Sequence, residues 1–297
     1  MNWILEIRTD VLTSVFSFFS YLGYSSFLVF FLSLWYWNVQ RIEMVRLGIL
    51  LLLSAILNAY LKDFFQDPRP SAIPHLDSRV EGSFGFPSGH AQIAIVVWFY
   101  LAYALQRTWA WTVAALVVIM ISLSRLYLGV HDIGDVIGGL AIGTASLLTF
   151  LFIEKKGLLS FQNLEHFTSL ATLSLFLSII CMEAFFFFTY PIKVPHHVLG
   201  YGTLLLGFLY GSILSKPHST PWKKHRFRHF ILHNLLGIAF IILIRKGFSY
   251  VWEIWSVEKG FLYPVLQGFS LGFAITATPW ILSIALKSQP RNHKPNH

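Results

Sequence analysis

Apolar runs of about the length needed to cross a bilayer recur along the whole chain, and they limit what it can fold into more than any other feature. A helix needs about 20 largely apolar residues to span the hydrocarbon. Nine runs approach that length: Val11 to Trp37, Val45 to Phe65, Ala91 to Leu105, Trp109 to Leu123, Ile133 to Ile153, Phe167 to Tyr190, Val198 to Leu214, Phe230 to Ile244 and Phe261 to Leu286. Only 12% of the 297 residues are charged, about half the usual share of a soluble domain. Mean hydropathy is +0.61. The expectation is an all-α, polytopic membrane bundle of about nine transmembrane helices.

The net charge of +8 is spread between these runs instead of forming one basic stripe, which argues against a nucleic-acid partner and for membrane topology. Loops after the first, third, fifth and seventh runs, with the C-terminus, hold Arg41, Arg46, Arg107, Lys155, Lys156, Lys216, Lys223, Lys224, Arg226, Arg228, Lys287, Arg291 and Lys294. By the positive-inside rule that side is cytoplasmic. The opposite loops then face the periplasm, the cell exterior or an organelle lumen. No removable signal peptide is read at the N-terminus, and the single Cys181 allows no intrachain disulfide. Trp3, Trp35, Trp37, Trp109, Trp111, Trp222, Trp252 and Trp255 lie near span ends and are expected to anchor the interface. Gly138, Gly139 and Gly143 give the fifth run a small-residue face for close helix packing.

Three polar stretches interrupt this pattern on the non-cytoplasmic side. The first is LKDFFQDPRP, in which Lys62 and Arg69 lie seven residues apart and Pro68 should end the helix before Arg69. The second, Pro87-Ser88-Gly89-His90, reads as a helix start: proline in the first turn, free backbone N–H groups at Ser88 and Gly89, and His90 beside that anion site. The third is SRLYLGVHDIGD, Ser124 to Asp135. Arg125 stands six residues before His131 and Asp135 four after it. With helix from about Asp132, Asp135 stacks one turn from His131, as a carboxylate orienting an imidazole does. Together they supply three cations, a helix N-terminus, two histidines and a carboxylate. That inventory fits metal-independent phosphoryl transfer, in which cations neutralise the phosphoryl oxygens while one histidine attacks phosphorus and the other protonates the leaving oxygen. No ligand-spaced metal site is read, and His196 and His197 in a fourth polar loop have no evident partner.

The three stretches, Lys62-x6-Arg69-Pro70, Pro87-Ser88-Gly89-His90 and Ser124-Arg125-x5-His131-x3-Asp135, resemble the three motifs of the type 2 phosphatidic acid phosphatase and vanadium haloperoxidase superfamily, in its membrane lipid-phosphatase branch. The resemblance implies that His131 is the nucleophile and forms a phosphohistidine, that Asp135 orients it, and that His90 is general acid and then base. Lys62, Arg69, Arg125, Ser88 and the Gly89 backbone would bind the substrate phosphate, with no metal and no cofactor. It places a catalytic core in residues 1–157 and additional transmembrane helices in 158–297. The family's usual six-helix core would be completed either by 167–190 or by part of the overlong first run. The implied activity is hydrolysis of a lipid phosphate monoester or diphosphate, with undecaprenyl diphosphate, phosphatidate, phosphatidylglycerol phosphate and a sphingoid-base phosphate as candidate substrates. Two other expectations stay open at this point, a phosphotransferase with a lipid acceptor and a lipid transporter on the same fold.

Overall fold

The computed structural model describes residues 3–38, 41–71, 73–80, 82–157, 196–215, 227–254 and 262–287. Every regular element among them is helical. In chain order these are α1 (Trp3–Ile7), α2 (Asp10–Tyr21), α3 (Ser25–Asn38), α4 (Arg41–Phe65), α5 (Gly89–Leu105), α6 (Thr108–Tyr127), α7 (Ile133–Lys155), α8 (His196–Ser215), α9 (Phe227–Ile254) and α10 (Leu262–Lys287).

Eight of the nine expected runs fall wholly or mostly on described residues, and Phe167 to Tyr190 lies outside them. Among the described residues four helices qualify as spans by length and hydropathy, α4, α6, α7 and α9, and a fifth crossing is obtained if α2 and α3 count as one, although the two meet at 55°; nine were expected over the whole chain. The stretches Gly89–Leu105 and Gly200–Ser215 are apolar but shorter.

The first run is therefore broken, and its halves do different things. Thr9 and Thr13 at the start of α2 bond the Tyr127 hydroxyl at 3.1 and 3.0 Å, while Ser20 at its end bonds Arg125. Were α2 to run alongside α6, Ser20 would lie about 16 Å from the level of Thr9, at 1.5 Å per residue. Contacts at both ends with one turn of α6 mean that α2 crosses over the end of that helix. α3 then descends into the bundle.

One apolar core joins the helices, with Trp37 of α3, Leu47 of α4, Val96 of α5, Ile121 of α6, Leu147 of α7, Phe208 of α8 and Ile275 of α10 all buried in it. Trp37 is thus a correction to the interface expectation. It is 1% exposed, it covers Gly237, and its Nε1 donates to the Ile275 carbonyl at 2.9 Å. Trp109 and Trp111 are exposed on α6, as interface anchors should be. The glycine face of α7 packs backbone to backbone on α5: a Cβ at Gly139 would strike the Ser88 carbonyl, and one at Gly143 would meet Gln92. This close approach sets the height of the start of α5 against α7.

Lys62, Ser88–His90 and Arg125–His131 all lie at the same end of the bundle, at the C-termini of α4 and α6 and the N-termini of α5 and α7. At the other end Arg46 of α4 pairs with Glu154 of α7 at 2.8 Å.

Candidate active site

Two cations are fixed by the loop between α4 and α5. α4 stops at Phe65, and Gln66 takes φ +48° just ahead of Asp67-Pro68. The chain then folds back, and Lys62 Nζ donates to the carbonyls of Phe84 and Gly85 at 2.5 and 2.9 Å. Arg69 Nε donates to the Ser83 carbonyl at 2.7 Å and its Nη1 to the Val130 carbonyl at 2.6 Å. These bonds satisfy donors without neutralising charge.

His131 follows a tight turn after α6, in which Gly129 takes φ +75°, a conformation open to glycine. Asp132 caps α7, its side chain accepting from the Asp135 amide at 2.8 Å while Asp135 Oδ2 accepts from the Asp132 amide at 3.1 Å. The same Oδ2 lies 3.0 Å from His131 Nδ1. Arg69 Nη1 stands 3.2 Å from His131 Nε2 and has only protons to offer, so Nε2 is the acceptor and Nδ1 carries the proton shared with Asp135. Burial, reinforced by the charges of Arg69, Arg125 and Lys62, holds the imidazole well below its usual pKa of 6.5. The ring is neutral, with its Nε2 lone pair toward the cations. Arg69 is itself lowered to about 10 by burial and by Arg125.

Arg125 is fully buried. Its Nη1 donates to Ser20 Oγ and to Asp77 Oδ2, the latter at 3.2 Å. Asp77, 5% exposed in the α4–α5 loop, also accepts from Tyr24 Oη and from Arg79 Nε at 3.1 Å. Tyr24, at the break between α2 and α3, meets the His90 ring edge-on, with centroids 4.6 Å apart, and Arg79 covers its other face. Buried polar atoms nearly always find partners. Here Ser88 Oγ, His90 Nε2 and Arg125 Nε and Nη2 have none among the described residues. Lys62, Arg69, His90, Arg125 and His131 line one cavity.

All eight residues singled out from sequence lie at this end of the bundle, with two corrections at the helix start. Pro87 precedes the N-cap instead of occupying the first turn, and Ser88 is the N-cap. The Ser88 amide is not free, since it donates to the Asp135 carbonyl at 3.0 Å. The amides without an intrahelical partner begin at Gly89. Sequence reasoning missed Asp77, Tyr24 and the pair Asn58–Gln92. Asn58 donates to the Pro87 carbonyl at 3.2 Å and to Gln92 Oε1 at 2.9 Å, and Gln92 returns to Ser54 at 2.8 Å. Two amides inside apolar spans were the available signal. The side chains of His196 and His197 lie outside the described set. Among the described residues no group of three or more His, Cys, Asp or Glu is placed to hold a metal.

The PAP2 superfamily model matches residues 43–157. The chain is similar to phosphatidylglycerophosphatase B of Bacillus subtilis (strain 168), 31% identical over 165 residues that cover 51% of this chain and 74% of that protein. It is also 32% identical to sphingosine-1-phosphate phosphatase 2 of Homo sapiens over 146 residues, 46% of this chain but only 36% of the human protein. Among solved structures, the first transmembrane PAP2 type phosphatidylglycerolphosphate phosphatase from Bacillus subtilis aligns with a TM-score of 0.46 and 25% identity, covering 52% of this chain and 82% of that one.

Proposed function

Because the chain belongs to the PAP2 superfamily, we propose that it is an integral membrane lipid phosphatase, hydrolysing a lipid phosphate monoester or diphosphate through a phosphohistidine on His131 at the non-cytoplasmic face. The observation that carries the reading is the convergence of a neutral His131, oriented by Asp135, with buried polar atoms of Ser88, His90 and Arg125 that have no partner among the described residues and suit a phosphate. The relatives' names, phosphatidylglycerophosphatase and sphingosine-1-phosphate phosphatase, agree on a lipid phosphate and differ on the lipid.

His131 Nε2 attacks phosphorus as Arg69 shifts from the ring to a phosphoryl oxygen. Arg69, Arg125, Lys62 and the Gly89 amide stabilise the charge on the equatorial oxygens. With the bound phosphate offsetting Arg125 and Arg69, His90 takes up a proton and gives it to the departing lipid oxygen, and the P–O bond breaks as the P–N bond forms. Neutral His90 then takes a proton from water, which attacks phosphorus and releases inorganic phosphate and His131. We assign the catalytic core to residues 1–157. The family match from 43 to 157 supports this, as do Ser20 and Tyr24, which bring α2 and α3 into the site. Residues 158–297 are accessory helices in this assignment. The non-cytoplasmic placement rests on the bias of Lys and Arg toward the opposite loops.

Phosphate release from a panel of lipid phosphates by purified protein tests the proposal, together with trapping of acid-labile phosphoenzyme from radiolabelled substrate. Both should vanish in His131→Ala. Wild-type release by that variant sinks the mechanism.

A further inference from the structure

The two histidines of the site are held differently. His131 is oriented by its bond to Asp135, at 3.0 Å. His90 stands in the first turn of α5 with its Nε2 buried and without a partner among the described residues, so packing has to fix the direction of its ring. That packing comes from one short segment, the bend between α2 and α3. There the amides of Leu22, Gly23 and Tyr24 bond the carbonyls of Phe19, Ser20 and Tyr21, each three residues back, at 3.2, 3.0 and 3.1 Å. This is the tight winding of a 3₁₀ turn, and it brings residues 23 and 24 to His90 together.

A Cβ on Gly23 would stand 2.5 Å from His90 Cδ2, so the glycine backbone lies directly against the ring carbon next to Nε2. Tyr24 meets the same ring at 83°, with centroids 4.6 Å apart. Tyr24 is itself held from two sides. The Arg79 guanidinium lies 4.0 Å over its ring, and its hydroxyl donates to Asp77 Oδ2. The same Asp77 oxygen accepts from Arg125 Nη1, which also donates to Ser20 at the start of the bend. The bend thus joins the ring of the proton donor to the buried cation of the phosphate site.

We propose that Tyr24 is a positioning residue for His90: its ring, braced by Arg79 and Asp77, and the bare backbone of Gly23 fix the imidazole relative to Arg125 and aim Nε2 at the departing oxygen of a phosphate bound there. The proposal rests on the phosphatase reading above, in which His90 is the general acid. It gives a task to a segment that lies ahead of the 43–157 family match. General acid catalysis contributes about 100- to 10,000-fold, and misplacement by about 1 Å can cost about 100-fold. A methyl group on Gly23 demands nearly that much movement, from 2.5 Å to the 3.4 Å of ordinary contact, and the imidazole is the group that yields.

The leaving group separates proton donation from phosphate binding. An alkyl phosphate needs its departing oxygen protonated, whereas para-nitrophenolate leaves without a proton. The quantity to measure is therefore the ratio of kcat/KM for octyl phosphate to kcat/KM for para-nitrophenyl phosphate, on the purified protein. Tyr24→Ala and Gly23→Ala should each lower this ratio at least tenfold, in the same direction as His90→Ala. Tyr24→Phe keeps the ring against His90 and beneath Arg79, so its ratio should stay within threefold of wild type even where the lost bond to Asp77 weakens both substrates through Arg125. A general structural defect lowers both substrates alike and leaves the ratio unchanged. A ratio within threefold of wild type in either Tyr24→Ala or Gly23→Ala, with the ratio lowered in His90→Ala, overturns the positioning role alone, and so does a Tyr24→Phe ratio as low as that of Tyr24→Ala. If one of the two variants fails to accumulate in membranes, the other carries the test. An unchanged ratio in His90→Ala, or octyl phosphate hydrolysed by His131→Ala as by wild type, overturns the phosphatase assignment and the positioning role with it.

Discussion

Replacing Asp135 by asparagine isolates the part of the His131–Asp135 interaction that depends on charge. One oxygen, Oδ2, accepts from both His131 Nδ1 at 3.0 Å and the Asp132 amide at 3.1 Å. The amide oxygen of asparagine can stand in the same place and keep both bonds, so the tautomer of His131 and the cap of α7 survive. The negative charge is removed, and with it the bond that the carboxylate shares with Asp67 is altered. That charge matters when phosphoryl transfer makes the imidazole cationic, 3.0 Å away. At an effective dielectric of about 20 the attraction is roughly 5 kcal/mol. This is a ceiling, because hydrogen bonds to a charged partner exceed neutral ones by about 1–2 kcal/mol net. An intermediate loss of about 3–4 kcal/mol lowers kcat by roughly two to three orders of magnitude. KM should barely move, because Lys62, Arg69 and Arg125 hold the substrate. Asp135→Ala should fall further and melt earlier, having also lost the cap. Rapid-quench measurement of phosphoenzyme formation reads the step directly. A rate for Asp135→Asn within about threefold of wild type, or one as low as that of Asp135→Ala, refutes the argument.

Three further outcomes follow from the same geometry. His131 must be neutral to attack, and its pKa is held below 6.5, so kcat/KM should fall with acid only below that pH; Arg69→Ala removes the foremost of the charges that depress it and should move the acid limb upward. An unmoved limb in that variant removes Arg69 from the account. Asp77→Ala leaves the buried Arg125 without its counter-charge, for a loss of about 3 kcal/mol; inorganic phosphate should raise its Tm more than it raises that of wild type, and equal shifts would show that Arg125 does not face the anion site. In a Cys181→Ser background, Ser78→Cys should react with an impermeant thiol reagent added outside and Lys156→Cys should not, the reverse pattern inverting the topology.

The long spans α4, α6 and α7 were legible because a bilayer sets their length, and both proline-marked breaks around the α4–α5 loop follow from local chemistry. The break at Tyr24 was not read, although Gly23 and Ser25-Ser26 punctuate the run there, because no charge or proline interrupts residues 11 to 37 and it is contacts with α6 that turn α2 across it. Trp37 was misread for a related reason. A tryptophan at a span end suits lipid headgroups and a helix contact equally, and its position in the sequence cannot say which side of α3 it is on. In the site, the groups that meet substrate could be read from their chemistry, whereas Asp77 could not. Its carboxylate lies in an irregular loop, 48 residues from the arginine it holds, and nothing periodic connects the two.

That division reflects how the site stores its charge. Lys62 and Arg69 are tied to backbone carbonyls, which fix their direction without supplying a counter-charge, while Asp77 pairs with Arg125 and Asp135 with His131. Burial, reinforced by the nearby cations, keeps His131 neutral in the empty site, and in the proposed mechanism the same cations attract a phosphate dianion. In that mechanism the dianion offsets the cations around the ring and favours the positive charge His131 would acquire on becoming phosphorylated. The arrangement works against itself at the end of the cycle, since inorganic phosphate released from His131 still lies among the three cations that bound the ester. In the proposed mechanism, release of phosphate, opposed by Lys62, Arg69 and Arg125, is then the step that these cations slow while they accelerate the chemistry.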